Sequence, residues 1–176
     1  MGIEFQILDF IQGLRTPFGD SVMPLVTALG NAGIFWIGLT VLLLLQPKKR
    51  RAGCILLLAL LFDLFLCNIL IKPLAARVRP FDVNTAVQLL IARPVDFSFP
   101  SGHTAASFAS VAALYLAGEK KLFGISLVLS VLIAFSRLYL YVHYPTDVLG
   151  GVLVGLLSGW LGYHCLQALE KRKRKE

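Results

Sequence analysis

Apolar positions along this chain do not alternate with polar ones; they run on in long blocks at 21–45, 52–71, 102–118, 122–140 and 147–169. Short segments between the blocks gather the Pro, Gly and charged residues. A helix of about 20 apolar residues crosses roughly 30 Å of hydrocarbon. A membrane-spanning barrel would need alternating strands instead, and here Leu, Ile, Val, Ala and Gly are continuous. The pattern predicts an all-α, polytopic transmembrane helical bundle of five spans, with ends uncertain by several residues. Ahead of them, "GIEFQILDFIQGL" puts Ile3, Ile7, Phe10, Ile11 and Leu14 on one side and Glu4, Asp9 and Gln12 largely opposite. Residues 1–18 are therefore expected as an amphipathic helix flat at the membrane interface, too short and too acidic at its start for a signal peptide. If that segment crosses instead, the count is six.

Composition adds to this picture without changing it. With 57% hydrophobic and 15% charged residues among 176, one membrane domain over 1–176 is expected, with no appended soluble domain. Cys54, Cys67 and Cys165 have no paired or metal-ligand spacing and read as small buried hydrophobes. Charge carries more information. Lys48 to Arg51, Lys120 and Lys121, and Lys171 to Lys175 hold eleven of the seventeen Lys and Arg, and five spans place all three clusters on one side. The positive-inside rule makes that side cytoplasmic, so residues 170–176 form a basic cytoplasmic tail. The net charge of +7 then reflects topology and contact with anionic membrane lipids, and no nucleic-acid partner is implied.

Most of the remaining basic residues lie where that rule disfavours them. Lys72, Arg77, Arg79, Arg93 and Arg137 fall in or beside the outer regions 72–100 and 137–146, and binding an anion is the simplest reason. In "KPLAARVRP", Pro73 and Pro80 restrict the backbone around Lys72 and Arg79, which offer a point charge and a planar fork to phosphate oxygens. The same residues could instead anchor lipid head groups. In "FPSGHTAAS", Ser101 is a good N-cap, Gly102 lets backbone approach a ligand, and the first amides of the helix form an anion cradle within reach of His103. The bland alternative is a helix start with an interfacial histidine. In "SRLYLYVHYPTDVLGG", Asp147 follows His143 by four residues. A helical register there lets the carboxylate accept the Nδ1 proton and leaves the other ring nitrogen nucleophilic. Each stretch alone has a structural explanation; two histidines, three basic residues and a helix N-terminus on one face together point to a functional anion site.

These stretches resemble the motifs of the type 2 phosphatidic acid phosphatase superfamily. The family pattern is a Lys, six residues, Arg-Pro; then Pro-Ser-Gly-His; then Ser-Arg, five residues, His, three residues, Asp. Lys72, Arg79 and Pro80, then Pro100 to His103, then Ser136, Arg137, His143 and Asp147 meet every position. The opening "IQGLRTPFGDSVMPLVTALG" is also similar to the start of small bacterial members. The family usually has six spans, so five plus an interfacial helix departs from it. The resemblance implies that His143 attacks phosphorus to give a phosphohistidine and that Asp147 orients it. His103 would protonate the leaving oxygen and later activate water, while Lys72, Arg79, Arg137 and the amides of Ser101 and Gly102 bind the phosphate. No metal or other cofactor is required. Two histidines with Asp147 would make a metal site that the basic cluster repels, and His164 lies near the other end of its span.

The implied substrate is an amphiphile with its phosphate at head-group level: phosphatidylglycerol phosphate, phosphatidic acid, undecaprenyl diphosphate or the 1-phosphate of lipid A. The enzyme would be an integral inner-membrane phosphatase whose site faces the periplasm or cell exterior. A lipid-phosphate-binding or transport protein is the alternative, but it has no use for a His–Asp pair aimed at phosphorus. Asp63, mid-span with Asn68 about one turn away, is expected to make a packing hydrogen bond or to face a polar path. Gly151, Gly155 and Gly159 suit close packing within the bundle, and a homodimer seam could use the same face.

Overall fold

A computed structural model describes residues 2–173 and 175, and its regular elements are all helical. Met1, in the predicted N-terminal helix, and Arg174 and Glu176, in the predicted basic tail, lie outside the described residues. The helices are α1 (Ile3–Gly13), α2 (Pro17–Ala28), α3 (Ile34–Leu45), α4 (Arg50–Asp63), α5 (Lys72–Ala75), α6 (Pro80–Val83), α7 (Gly102–Leu116), α8 (Lys120–Tyr139) and α9 (Pro145–Lys173). A π-helical stretch, Leu64–Ile71, joins α4 to α5. Among the described residues, three stretches, Pro47–Val83, Lys120–Tyr139 and Pro145–Lys173, are each long and apolar enough to cross a membrane.

The apolar block at 21–45 is not one straight helix. It breaks between α2 and α3, which meet those criteria only together and are bent by 44°. Ala32 (φ 49°) and Gly33 (φ 67°) take left-handed conformations that a continuous helix cannot contain. A Cβ on Gly30 would stand 2.7 Å from the His103 ring, so only glycine lets the end of α2 come so close to α7. The block at 102–118 forms a helix of only fifteen residues, which packs at the centre of the bundle against α4, α8 and α9.

Small residues set the spacing of this core. A Cβ at Gly155 would lie 2.4 Å from the Ala105 carbonyl oxygen, and one at Gly159 2.4 Å from the Ala112 methyl group. Gly151 meets Ser101 and Thr104 in the same way, and Gly162 meets Ala59 of α4. Close backbone approach of this kind replaces the hydrophobic drive that helices lack in lipid. The glycine face of α9 is therefore filled by α7. Buried hydroxyls satisfy themselves locally: Ser107 and Ser158 donate to the carbonyls of His103 (2.7 Å) and Val154 (2.8 Å), and Trp36 Nε1 donates to Ser107 Oγ at 3.1 Å. Large apolar side chains such as Leu25, Ile69, Val128 and Leu153 point outward, as a lipid-facing surface requires.

The two ends of the bundle differ in chemistry. At one, Lys49 pairs with Glu119 (2.9 Å) and Arg51 with Glu170 (3.0 Å), so the basic clusters do share one end. At the other, α1 lies against the turn after α8, burying Leu8 and Ile11 with Tyr139 to Tyr144 and leaving Ile3, Phe10 and Leu14 outward. The polar residues of α1 turn toward protein. Gln12 donates to the Tyr139 carbonyl at 2.8 Å, and the Tyr141 hydroxyl donates to Asp9 at 2.7 Å.

Candidate active site

Three separate turns deliver the cationic and imidazole groups to that second end. After α5, Ala76 adopts a left-handed conformation (φ 43°) and the chain reverses, bringing Arg79 back toward Lys72. Both are buried, and both bind Asp96: Lys72 through a short contact to Oδ2, Arg79 Nη2 to Oδ1 at 2.6 Å. Arg79 also donates from Nη1 to the Val142 carbonyl at 2.7 Å, which leaves Nη1 3.3 Å from His143 Nε2. Arg137, in the last turn of α8, is buried and donates to Thr27 Oγ1 at 2.6 Å, with its Nε unpartnered. Lys72, Arg79 and Arg137 thus line one cavity with His103 and His143.

The His143–Asp147 relationship is looser than the spacing suggested. Nδ1 of His143 stands 3.5 Å from Asp147 Oδ2, outside good hydrogen-bond geometry, and has no other partner. The reason is that α9 begins at Pro145, so His143 precedes the helix while Asp147 sits within its first turn. Three donors hold the carboxylate instead: the Tyr144 amide (2.8 Å) and Ser98 Oγ on Oδ2, and Arg77 Nη1 on Oδ1 at 2.7 Å. Burial pushes the His143 imidazole down to about 3, Arg137 and Arg79 add to the shift, and Asp147 opposes it. The ring is accordingly neutral near pH 7. In the Nδ1–H tautomer, Nε2 carries the lone pair on the side of Arg79 Nη1.

His103 lies in the first turn of α7 with Nε2 2.9 Å from Asn31 Oδ1, presented by the break between α2 and α3. Ser101 departs from the role expected of it. Its side chain caps no amide and accepts from the Thr104 hydroxyl at 3.0 Å, while its own amide donates to the Asp147 carbonyl at 3.0 Å. Ser101 ties α7 to α9 and has no amide left for a ligand. Gly102 does line the cavity, close to Asn68 and Lys72.

The cavity, about 860 Å³, is polar where these groups meet and apolar along walls that include Ile37, Val41, Leu57 and Leu61. Asp63 lines it too, with Oδ1 buried and unpartnered, so it makes no packing hydrogen bond from that atom. A site with cations at one end and a hydrocarbon wall behind fits an amphiphilic anion. The PAP2 superfamily pattern matches residues 52–171. This chain belongs to that superfamily. An undecaprenyl-diphosphatase of Sulfolobus acidocaldarius is 32% identical over 95% of this chain and 79% of its own length. A lipid A 4'-phosphatase of Bacteroides thetaiotaomicron is 29% identical over 99% and 81%. The solved structure of a PAP2-type phosphatidylglycerolphosphate phosphatase from Bacillus subtilis superposes with a TM-score of 0.73 at 32% identity, covering 93% of this chain and 84% of that one. This PAP2 protein is a membrane-embedded lipid phosphatase.

Several residues of this PAP2 site carry no local signal in the sequence. Asp96 and Ser98 lie in the irregular segment between α6 and α7, and Asn31 sits in an apolar block. Glu4, on α1, receives Arg77 Nη2 at 2.5 Å and the Thr146 hydroxyl at 2.6 Å. Arg77 was legible as a misplaced outer cation, but its partner Asp147 is seventy residues away. His164 stands against the rings of Trp160 and Tyr163 on α9, apart from the site.

Proposed function

We propose that this protein removes the terminal phosphate of a membrane lipid phosphate or diphosphate, without a metal ion, through a phosphohistidine intermediate. The observation that carries this is the placement of His143 Nε2 at 3.3 Å from Arg79 Nη1, with Asp147 behind the opposite ring nitrogen. Nε2 donates its lone pair to phosphorus, and the bond to the leaving oxygen breaks as His103 supplies that oxygen with a proton. Water, giving its proton back to His103, then attacks phosphorus, and the P–N bond breaks to release phosphate and neutral His143. Lys72, Arg79, Arg137 and the Gly102 amide hold the non-bridging oxygens as charge develops. Positioning and fixed positive charge are most of what such a reaction asks of a protein.

The fold supports five spans, counting α2–α3 as one bent span and including α7, with α1 at the interface and the basic clusters in the cytoplasm. The site then faces the periplasm or cell exterior. The cavity's apolar walls and the named activities of the relatives favour undecaprenyl diphosphate, phosphatidylglycerol phosphate or a lipid A phosphate as substrate. Phosphate release from this panel in detergent tests the assignment. H143A should fall below about 1% of wild-type turnover while keeping its elution profile, as loss of a nucleophile does. An active H143A protein would remove the phosphohistidine.

A further inference from the structure

The cationic cradle already contains an anion of its own. Lys72, Arg79 and Arg137 are each at most 6% exposed, and Asp96 bridges the first two. Its main-chain oxygen also accepts from Arg79 Nε at 2.8 Å, so the peptide holds the residue in place independently of the carboxylate. The Asp96 side chain is half exposed, at the cavity wall, whereas the cations it binds are buried. Among the described residues, Arg137 forms no ion pair with a carboxylate and donates to Thr27 instead. Two phosphoryl oxygens standing where the Asp96 oxygens are would engage Lys72 and Arg79 together.

We propose that Asp96 is a specificity-determining residue: a displaceable internal counter-ion that makes the cradle select doubly charged terminal phosphates over the singly charged phosphodiesters of the surrounding bilayer. The inference rests on the phosphatase assignment above and extends it to the way that site rejects ordinary phospholipid.

The physical argument is one of charge exchange. A ligand phosphate must take Lys72 and Arg79 from a carboxylate that is held by charge-assisted hydrogen bonds. Burial alone would raise the Asp96 carboxyl, but Lys72 and Arg79 outweigh it and hold the group down to about 2, so it is an anion throughout the physiological range. A phosphodiester brings one negative charge, no more than the carboxylate it would displace. A phosphomonoester or terminal diphosphate group brings a charge of about −1.5 to −2 and three terminal oxygens near neutral pH. It can therefore satisfy Lys72, Arg79 and the carboxylate-free Arg137 together. Discrimination matters at head-group level, where diesters are the abundant phosphate. A carboxylate that only the more highly charged ligand can displace is a cost built against the wrong partner.

The experiment compares wild type, D96N and D96E as full chains in detergent. Hydrolysis of dioctanoyl phosphatidic acid is measured against increasing dioctanoyl phosphatidylglycerol, a diester that the proposed reaction does not consume. Wild type should be inhibited only weakly. D96N should bind the diester about tenfold or more tightly, narrowing the ratio of the diester inhibition constant to the monoester KM, and D96E should restore the wild-type ratio. An unchanged ratio in D96N, or equal weakening toward both lipids, would overturn the proposal. If D96N does not fold, D96S takes its place in the same assay. A second arm needs no turnover: thermal protection by inorganic phosphate and by dimethyl phosphate at pH 8. Dimethyl phosphate should protect D96N and leave wild type unprotected. Absence of hydrolysis by wild type, with this protection pattern intact, would count against the phosphatase assignment and leave the charge selection standing; equal dimethyl phosphate protection of both proteins would defeat it.

Discussion

Arg77 is clamped between the first helix and the His143–Asp147 pair, its Nη2 2.5 Å from Glu4 Oε2 and its Nη1 2.7 Å from Asp147 Oδ1. The guanidinium also lies over the Tyr144 ring, 3.9 Å from its centroid. A helix outside the apolar blocks thereby fixes the carboxylate that faces His143. R77A should lower kcat by about a hundredfold, as small displacements of reacting groups do, with a much smaller change in KM. E4Q should have the same sign and a smaller size. Single-turnover kinetics on both variants check this, and an R77A protein with wild-type kcat would show that Asp147 is held adequately by Ser98 and Tyr144 alone.

His103 and Asn31 offer a test of proton transfer. With Nε2 2.9 Å from Asn31 Oδ1, the ring has an orienting partner before substrate arrives. H103A should depress hydrolysis of a lipid alkyl phosphate far more than that of an aryl phosphate with an acidic leaving group, by about a hundredfold or more. N31A should show a muted version of the same asymmetry. Equal losses on the two substrates would instead make His103 a phosphate ligand.

The protonation state of His143 is open to direct measurement. Its pKa near 3, against an ordinary value near 6.5, keeps the ring neutral down to strongly acid pH. The unfolded chain binds this proton below about pH 6.5 and the folded protein does not. The group therefore contributes nothing to stability changes above that pH, and costs stability progressively as pH falls from about 6.5 toward 3. Ring-labelled histidine spectra, assigned with H103N and H164Q, should show no His143 titration between pH 5 and 8. A midpoint near 6.5 would contradict the cause given, burial next to Arg137 and Arg79.

Topology can be settled by labelling. In a background without Cys54, Cys67 and Cys165, a single cysteine placed within residues 82–92 should react with an impermeant maleimide in intact cells or spheroplasts. One placed at Lys171 should not. The reverse pattern would move the site, and its substrates, to the inner leaflet.

What could be read from sequence here was what depends on neighbours along the chain. Continuous apolar blocks announce membrane helices because the bilayer penalises an unsatisfied backbone, and clustered Lys and Arg at 48–51, 120–121 and 171–175 mark one end because charge is hard to move across lipid. His143 and Asp147, and the Lys72–Arg79 pair, were legible because their spacing is short. Tertiary structure decided everything that depends on residues far apart. It broke the first apolar block at Ala32 and Gly33 to bring Asn31 to His103, it spent the Ser101 amide on Asp147, and it placed Glu4 and Arg77 behind that carboxylate. Asp96 stands in an irregular segment with no periodicity, and only the fold shows that it lies across Lys72 and Arg79. A buried charge must find its partner in space, and no pattern along the chain records which partner that will be.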